Sequence, residues 1–120
     1  GNDGPMWNRF KRGVLFMALK GELDITKNLK MVEWLKAELV ESVGTLLKSL
    51  LNASVEATAD RLASVLILIY LLGGRVGVPF AALDSEVKNK LKQSLAAAPQ
   101  EERWHQDMKA LHDHWQHRTR

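Results

Sequence analysis

The eleven residues at positions 62–72, L-A-S-V-L-I-L-I-Y-L-L, form the most apolar stretch of the chain, and a glycine pair follows at 73–74. The stretch is too short for a transmembrane segment, because a spanning helix needs about 20 apolar residues. Its three β-branched residues would suit a buried parallel strand. We favour a helix that is buried nearly all round, because Ser54 can cap its N-terminus and the glycine pair can end it.

The composition is that of an ordinary globular domain. The chain has 120 residues, of which 46% are hydrophobic and 26% charged, and we predict a single domain over residues 1–120. Cysteine is absent, so any metal must be bound by carboxylates or histidines. The lack of cysteine also fits a cytoplasmic location. A net charge of only +3 argues against a nucleic-acid partner.

The pattern on both sides of this stretch predicts further helices and an all-α fold. A long helix capped by Asp24 or Thr26 would precede the apolar one, and a short break at 52–54 would join the two as an antiparallel hairpin. After the apolar helix, Pro79 could begin a further helical segment or a tight turn, and Asp84–Ser85 could cap a later helix. The long helix carries apolar residues at spacings of three and four: Leu29, Val32, Leu35, Leu39, Val43, Leu46, Leu47 and Leu50.

Two additional amphipathic helices are predicted at the ends of the chain, over residues 5–20 and 99–118. Each carries an apolar stripe that can pack on the bundle or on a second subunit, and their large aromatic residues would suit an oligomer interface. The stripes are Trp7, Phe10, Val14 and Met17, and then Trp104, Met108, Leu111 and Trp115.

Carboxylates on two predicted helices are candidate metal ligands. Glu38 and Glu41 are three residues apart and share a helix face, and Glu56 and Asp60 are four apart on the next helix. A hard cation such as Mg²⁺ prefers such oxygen ligands. We therefore name Glu38, Glu41 and Asp60 as candidate metal ligands; the alternative is that these are solvated charges on helix surfaces.

Lysine and histidine side chains in the C-terminal third of the chain are further candidates for ligand binding. Lys88 and Lys90 are candidate phosphate-binding residues, with solvated surface charge as the alternative. All four histidines lie within thirteen residues, and His114 and His117 are close enough in sequence to chelate a metal. The alternative is that the histidines form a polar face opposite the tryptophan stripe.

Three stretches resemble the MazG-like family, which belongs to the all-α nucleoside triphosphate pyrophosphohydrolase superfamily. Residues 24–39, D-I-T-K-N-L-K-M-V-E-W-L-K-A-E-L, resemble the entry segment of a bacterial group of this family. E-S-V-G-T-L at 41–46 resembles E-E-V-G-E-L. D-R-L-A-S-V-L at 60–66, continuing to R-V-G-V-P-F at 75–80, resembles E-E-L-A-D-V-L leading into R-L-G-I-D-L. The likeness covers residues 24 to about 92.

The resemblance implies an all-α MazG-like helical bundle and a specific chemistry. Active members of the superfamily hold Mg²⁺ with E-E-x-x-E on one helix and E-x-x-D on the next, and release pyrophosphate from a nucleoside triphosphate. In this chain Glu41 occupies the position of the first glutamate of E-E-x-x-E. In a shifted alignment, Glu38 and Glu41 match two of the three glutamates of that motif. The other motif positions are occupied by Ser42, Thr45, Arg61 and Ser64.

Two functions follow from this resemblance, and they differ in whether the chain is an enzyme. The first is a catalytically impaired relative that acts as a nucleotide-binding, regulatory or assembly module. Because relatives commonly form dimers, a homo-oligomer, dimeric or higher, is implied. The second is a divergent Mg²⁺-dependent pyrophosphohydrolase that uses Glu38, Glu41, Glu56 and Asp60, and Mg²⁺ would be a cofactor in this case alone.

Overall fold

The computed structural model describes residues 8–14, 25–97 and 102–118, and across these residues the elements are helices without a strand, which confirms the all-α prediction. The chain divides into two compact units, residues 1–77 and 78–120. That the whole chain forms one domain stays a prediction. The helices are α1 (residues 8–14), α2 (Ile25–Ser49), α3 (Val55–Arg75), α4 (Phe80–Ala96) and α5 (Glu102–Arg118).

The first unit is built on an antiparallel hairpin of α2 and α3. A short loop joins them, and the far ends are held together because Arg75 Nη1 donates to Asn28 Oδ1 at 3.2 Å. Asn28 Nδ2 in turn donates to the Arg75 carbonyl at 3.5 Å. Thr26 lies inside α2, so the prediction that it caps this helix was wrong, and Asp24 lies outside the described residues.

The sequence predicted the start of α3 correctly but not its end. Ser54 caps the N-terminus, as predicted, because its side chain accepts a hydrogen bond from the Ala57 amide. The predicted stop at the glycine pair was wrong, since the helix continues to Arg75. Gly77, which follows, has a φ of 98°, the left-handed conformation that glycine adopts with least strain.

A small core fastens α1 to this hairpin. Phe10 is buried with Met31, Leu35 and Leu68, and its ring stacks on Trp34 with centroids 5.7 Å apart. The predicted N-terminal helix therefore packs on the bundle through Phe10. Its stripe also includes Trp7 and Met17, and these, with the predicted helix ends at 5–7 and 15–20, lie outside the described residues.

The burial predicted for the two long helices was wrong in two respects. Leu68 is buried in α3, but Leu66 on the same helix is 48% exposed, because α2 covers one side of α3. On α2 the apolar positions extend over two sides, so Leu35 is buried whereas Leu47 is exposed. The buried face of α2 also contains polar residues that no apolar pattern can predict. Its buried residues are Met31, Leu35, Glu38, Ser42 and Leu46.

The second unit pairs α4 with α5. The predicted cap at Asp84–Ser85 was wrong, because α4 is already helical from Phe80. The predicted helix start at Pro79 is confirmed, because Pro79 is the N-cap of α4. Trp115, in the predicted C-terminal stripe, is buried, and its Nε1 donates to the Asp84 carbonyl at 3.1 Å. The Arg118 guanidinium lies 4.2 Å from the centroid of the Trp115 ring. Residues 99–101 of the predicted terminal helix lie outside the described part of the chain.

Among the described residues, no single helix combines the length and the hydropathy of a membrane span, and α3 and α4 pass that test only when taken together.

Candidate functional site

Glu38 and Glu41 lie near the middle of α2, one turn apart, and we call them the acidic pair. Glu38 belongs to the buried face of the helix and is 2% exposed. The Glu41 side chain, at the edge of this face, is 58% exposed. One side chain, that of Arg9, contacts both carboxylates, and this confirms the prediction that they share one side of the helix. The burial of Glu38 sets the chemistry, because a buried carboxylate needs a cation and hydrogen bonds.

Arg9 on α1 supplies that cation. Its Nε donates to Glu38 Oε1 at 2.7 Å, and its Nη2 donates to Glu38 Oε2 at 2.5 Å. The same Nη2 donates to Glu41 Oε2 at 3.0 Å. Guanidinium and carboxylate are matched fork to fork on Glu38, the strongest common form of ion pair. Three of the four oxygens of the acidic pair therefore accept hydrogen bonds from Arg9.

This arrangement also keeps Arg9 charged. The hydrogen bond with Glu38, and secondarily the one with Glu41, raises the pKa of Arg9 above its ordinary value. The Arg9 side chain is 49% exposed, so the guanidinium keeps water on its outer side while it contacts the carboxylates on its inner side.

The third predicted ligand is not part of this contact. Asp60 is an exposed residue of α3. Over residues 8–14, 25–97 and 102–118, no three His, Asp or Glu side chains come close enough to hold a metal. Mg²⁺ needs near-octahedral coordination by oxygens, whereas three oxygens of the acidic pair already face Arg9. As arranged here, the acidic pair does not fit a divalent cation.

Three hydroxyl residues, Ser42, Thr45 and Ser64, occupy positions where the resemblance implies carboxylates, and the structure gives the surroundings of the two serine hydroxyls. Ser42 is 6% exposed, and its Oγ has no hydrogen-bond partner among the described residues. Ser64 Oγ donates to the Asp60 carbonyl at 3.1 Å, so it bonds to its own helix backbone. Neither hydroxyl extends the acidic pair into a larger set of ligands.

Arg9 is the site residue that sequence reasoning missed. Arg9 precedes the core residue Phe10 on a short helix. A basic residue next to a buried aromatic residue is only a weak indication that it forms an ion pair. Its partners are 29 and 32 residues further along the chain. The pairing therefore depends on how α1 packs on α2, which local sequence patterns do not show.

The predicted phosphate-binding lysines lie on α4, in the second unit. Lys88 is half-buried and Lys90 is exposed. Residues two apart on a helix do not face each other, so these two cannot hold one phosphate from the same side of α4. Their role in phosphate binding stays a prediction.

The histidines are used in local contacts on α5. His117 Nδ1 lies 2.8 Å from the Asp113 carbonyl, and His112 Nε2 lies 3.3 Å from Gln116 Nε2. Each contact spans one turn of the helix. The His117 contact favours the polar-face interpretation over chelation for that residue, whereas the His112 side chain is only 14% exposed and does not lie on a solvated face.

A second surface of interest is apolar. On α2, Val40, Val43 and Leu47 recur at intervals of three and four residues and are 74%, 36% and 60% exposed. A similar series follows on α3. This spacing is typical of a helix face that packs against another helix. We call the surface the outer face, and it consists of Val40, Val43, Leu47, Val55, Leu62, Leu66 and Ile69.

The outer face lies on one side of the hairpin and α1 on the other. Successive residues of a helix are about 100° apart around its axis. On α2 and on α3 alike, the outer-face residues are rotated by roughly 130° from the core side of the helix, in the direction of increasing residue number. Because α2 and α3 are antiparallel, equal rotations bring both series to the same side. The α2 residues that contact α1, among them Trp34 and Glu38, are rotated in the opposite sense.

These features define an all-α protein whose longest helix carries two carboxylates one turn apart. The MazG-like family model matches residues 25–108. The chain therefore belongs to the MazG-like family, as its sequence resemblance indicated, and is related to nucleoside triphosphate pyrophosphohydrolases. No curated protein and no solved structure matches the chain.

Proposed function

We propose that this MazG-like chain is impaired in metal-dependent hydrolysis and acts as an assembly module that forms a homo-oligomer. The observation that carries the first part is the Arg9 contact with the acidic pair. A catalytic metal would have to polarise the phosphates and activate a water, and it needs free carboxylate oxygens for its own binding. Here these oxygens are hydrogen-bonded to a protein cation.

The outer face supports the assembly role. Its apolar residues recur every three or four residues on α2 and every three, four or seven residues on α3, as in helix bundles, and they share one side of the hairpin. A second copy of the chain is the occupant that fits best, because an identical hairpin presents the same spacing and would complete a four-helix arrangement. A dimer is the smallest assembly that covers this face.

A role in nucleotide binding has less support. Lys88 and Lys90, the predicted phosphate contacts, point to different sides of α4, as two-residue spacing requires. We therefore place assembly before nucleotide binding among the roles that the family resemblance suggests.

The alternative is a divergent Mg²⁺-dependent pyrophosphohydrolase, and pyrophosphate release separates the two functions. With canonical and modified nucleoside triphosphates, and with Mg²⁺ or Mn²⁺, we expect the wild-type chain and Glu41→Gln to give the same background release. The matched variant controls for contaminating hydrolases, because it keeps the size and polarity of the side chain. Release by the wild type that Glu41→Gln abolishes would establish the alternative and contradict the proposal.

A further inference from the structure

The position of Glu38 sets an electrostatic requirement inside the first unit. Its side chain is 3% exposed, and it lies on the same face of α2 as the core residue Leu35. An unpaired carboxylate at such a place would be strongly unfavourable, because the protein interior does not replace its hydration. Whatever neutralises Glu38 is therefore part of the folded structure.

Arg9 meets this requirement through geometry as well as charge. The guanidinium presents Nε and Nη2 to both oxygens of Glu38, and Nη2 also reaches Glu41. Arginine suits this position better than lysine, because its planar fork bonds two oxygens of one carboxylate at once. Glu41 Oε2 accepts a hydrogen bond from the same guanidinium, so Arg9 is the shared partner of the acidic pair.

The same turn of α1 also carries the apolar anchor of that helix. Phe10, the residue after Arg9, is 6% exposed and stacks on Trp34. One turn later, a Cβ on Gly13 would lie 3.6 Å from the Trp34 ring, so the backbone of α1 runs close beside this indole. The charged contact and the apolar contact thus hold α1 at two neighbouring points on α2.

We propose that Arg9 is the resident cation of the acidic pair, in the place where a metal was expected, and that the pair thereby fastens α1 to α2. The carboxylates that resemble a metal motif serve here as a docking clamp for α1. Because a metal and the guanidinium would need the same oxygens, binding of either one excludes the other.

Hydrogen exchange of the full chain, followed by mass spectrometry, tests this proposal on residues 8–14. In Arg9→Gln, we expect exchange in this segment to become about tenfold faster, because a charge-assisted fork to a buried carboxylate is lost. Arg12→Gln is the matched control, since Arg12 is an exposed residue of the same helix. It removes the same charge, and its exchange should stay within about twofold of the wild type. Equal rates in the two variants would overturn the proposal.

Two further comparisons make the result specific to α1. The α3 segment at 60–70 serves as an internal reference, and its exchange should change less than that of residues 8–14. Equal acceleration of both segments would overturn the proposal, because the ion pair would then support the whole unit. Glu38→Gln should also accelerate exchange in residues 8–14, because the fork loses its charged acceptor.

Manganese provides the complementary test. Adding Mn²⁺ to the wild-type chain should leave the exchange of residues 8–14 unchanged, because Arg9 holds the oxygens that the ion would need. Acceleration by Mn²⁺ that disappears in Glu41→Gln would show a metal in the place of Arg9, and it would overturn the proposal.

The clamp rests on the same Arg9 contact as the proposed loss of hydrolysis, and separate measurements distinguish the failure of one from the failure of the other. Pyrophosphate release that requires Glu41 would contradict the loss of hydrolysis, whatever the exchange rates show. Unchanged exchange in Arg9→Gln would remove the clamp, and pyrophosphate release would still decide whether hydrolysis is lost.

Discussion

Burial decides the meaning of a charged side chain in this protein. Glu33 is exposed and pairs with Lys36 one turn away at 3.2 Å, an arrangement that contributes little to stability. Glu38 is of the same residue type and lies on the same helix, but it is buried and held by a bidentate arginine. Removing the partner of such a buried charge is far more costly than removing an exposed one.

Ser42 offers a test of polar burial at the scale of one residue. Its hydroxyl is buried without a hydrogen-bond partner among the described residues, which costs free energy. We expect Ser42→Ala to raise the free energy of unfolding by about 1 kcal/mol, measured by urea denaturation. Part of any gain from serine to alanine reflects helix propensity, so Ser85→Ala, on the exposed side of α4, is the control. A loss of stability in Ser42→Ala relative to this control would contradict the prediction.

Element types followed from the sequence, whereas element boundaries did so in part. The hydroxyl of Ser54 acts within three residues of its own position, so the start of α3 was predictable. The end of α3 was not predictable, because Gly73 and Gly74 can also adopt helical backbone angles. The glycine in the left-handed conformation is Gly77. The cap at Asp84–Ser85 misplaced the start of α4, whereas the alternative start at Pro79 agrees with a helix from Phe80.

Burial of the elements was harder to predict than their type. The apolar stretch at 62–72 indicated a fully buried helix, but apolar residues show only that a surface can be covered. They do not show whether the same chain covers it. In the described structure α2 covers one side of α3, and Leu62 and Leu66 remain exposed. Only part of the candidate site, the pair Glu38 and Glu41, could be predicted from the sequence. Arg9 could not be predicted, because it reaches the pair through tertiary packing.

At the scale of the whole molecule, the outer face predicts self-association. We expect Leu47→Lys combined with Leu66→Lys to shift the chain toward the monomer, because each lysine would bring a charge into an apolar interface. Sedimentation velocity over a range of protein concentrations measures the shift.

Thr45→Lys is the matched control for this experiment. Thr45 is exposed on α2, about 170° from the centre of the outer series on that helix, so its variant should keep the wild-type assembly. An assembly that the double variant leaves intact would contradict the assignment of the outer face. A wild-type chain that stays monomeric at every concentration would contradict the proposed homo-oligomer itself.

Our proposal makes Arg9, and not a metal, the cation of the acidic pair. A crystal structure of the wild-type chain grown with millimolar Mn²⁺, with data collected for anomalous scattering of manganese, would locate the cation. We predict the Arg9 guanidinium on Glu38 and Glu41, with no anomalous peak at the pair. A manganese peak at about 2.0–2.6 Å from oxygens of both carboxylates, with Arg9 displaced, would contradict the account.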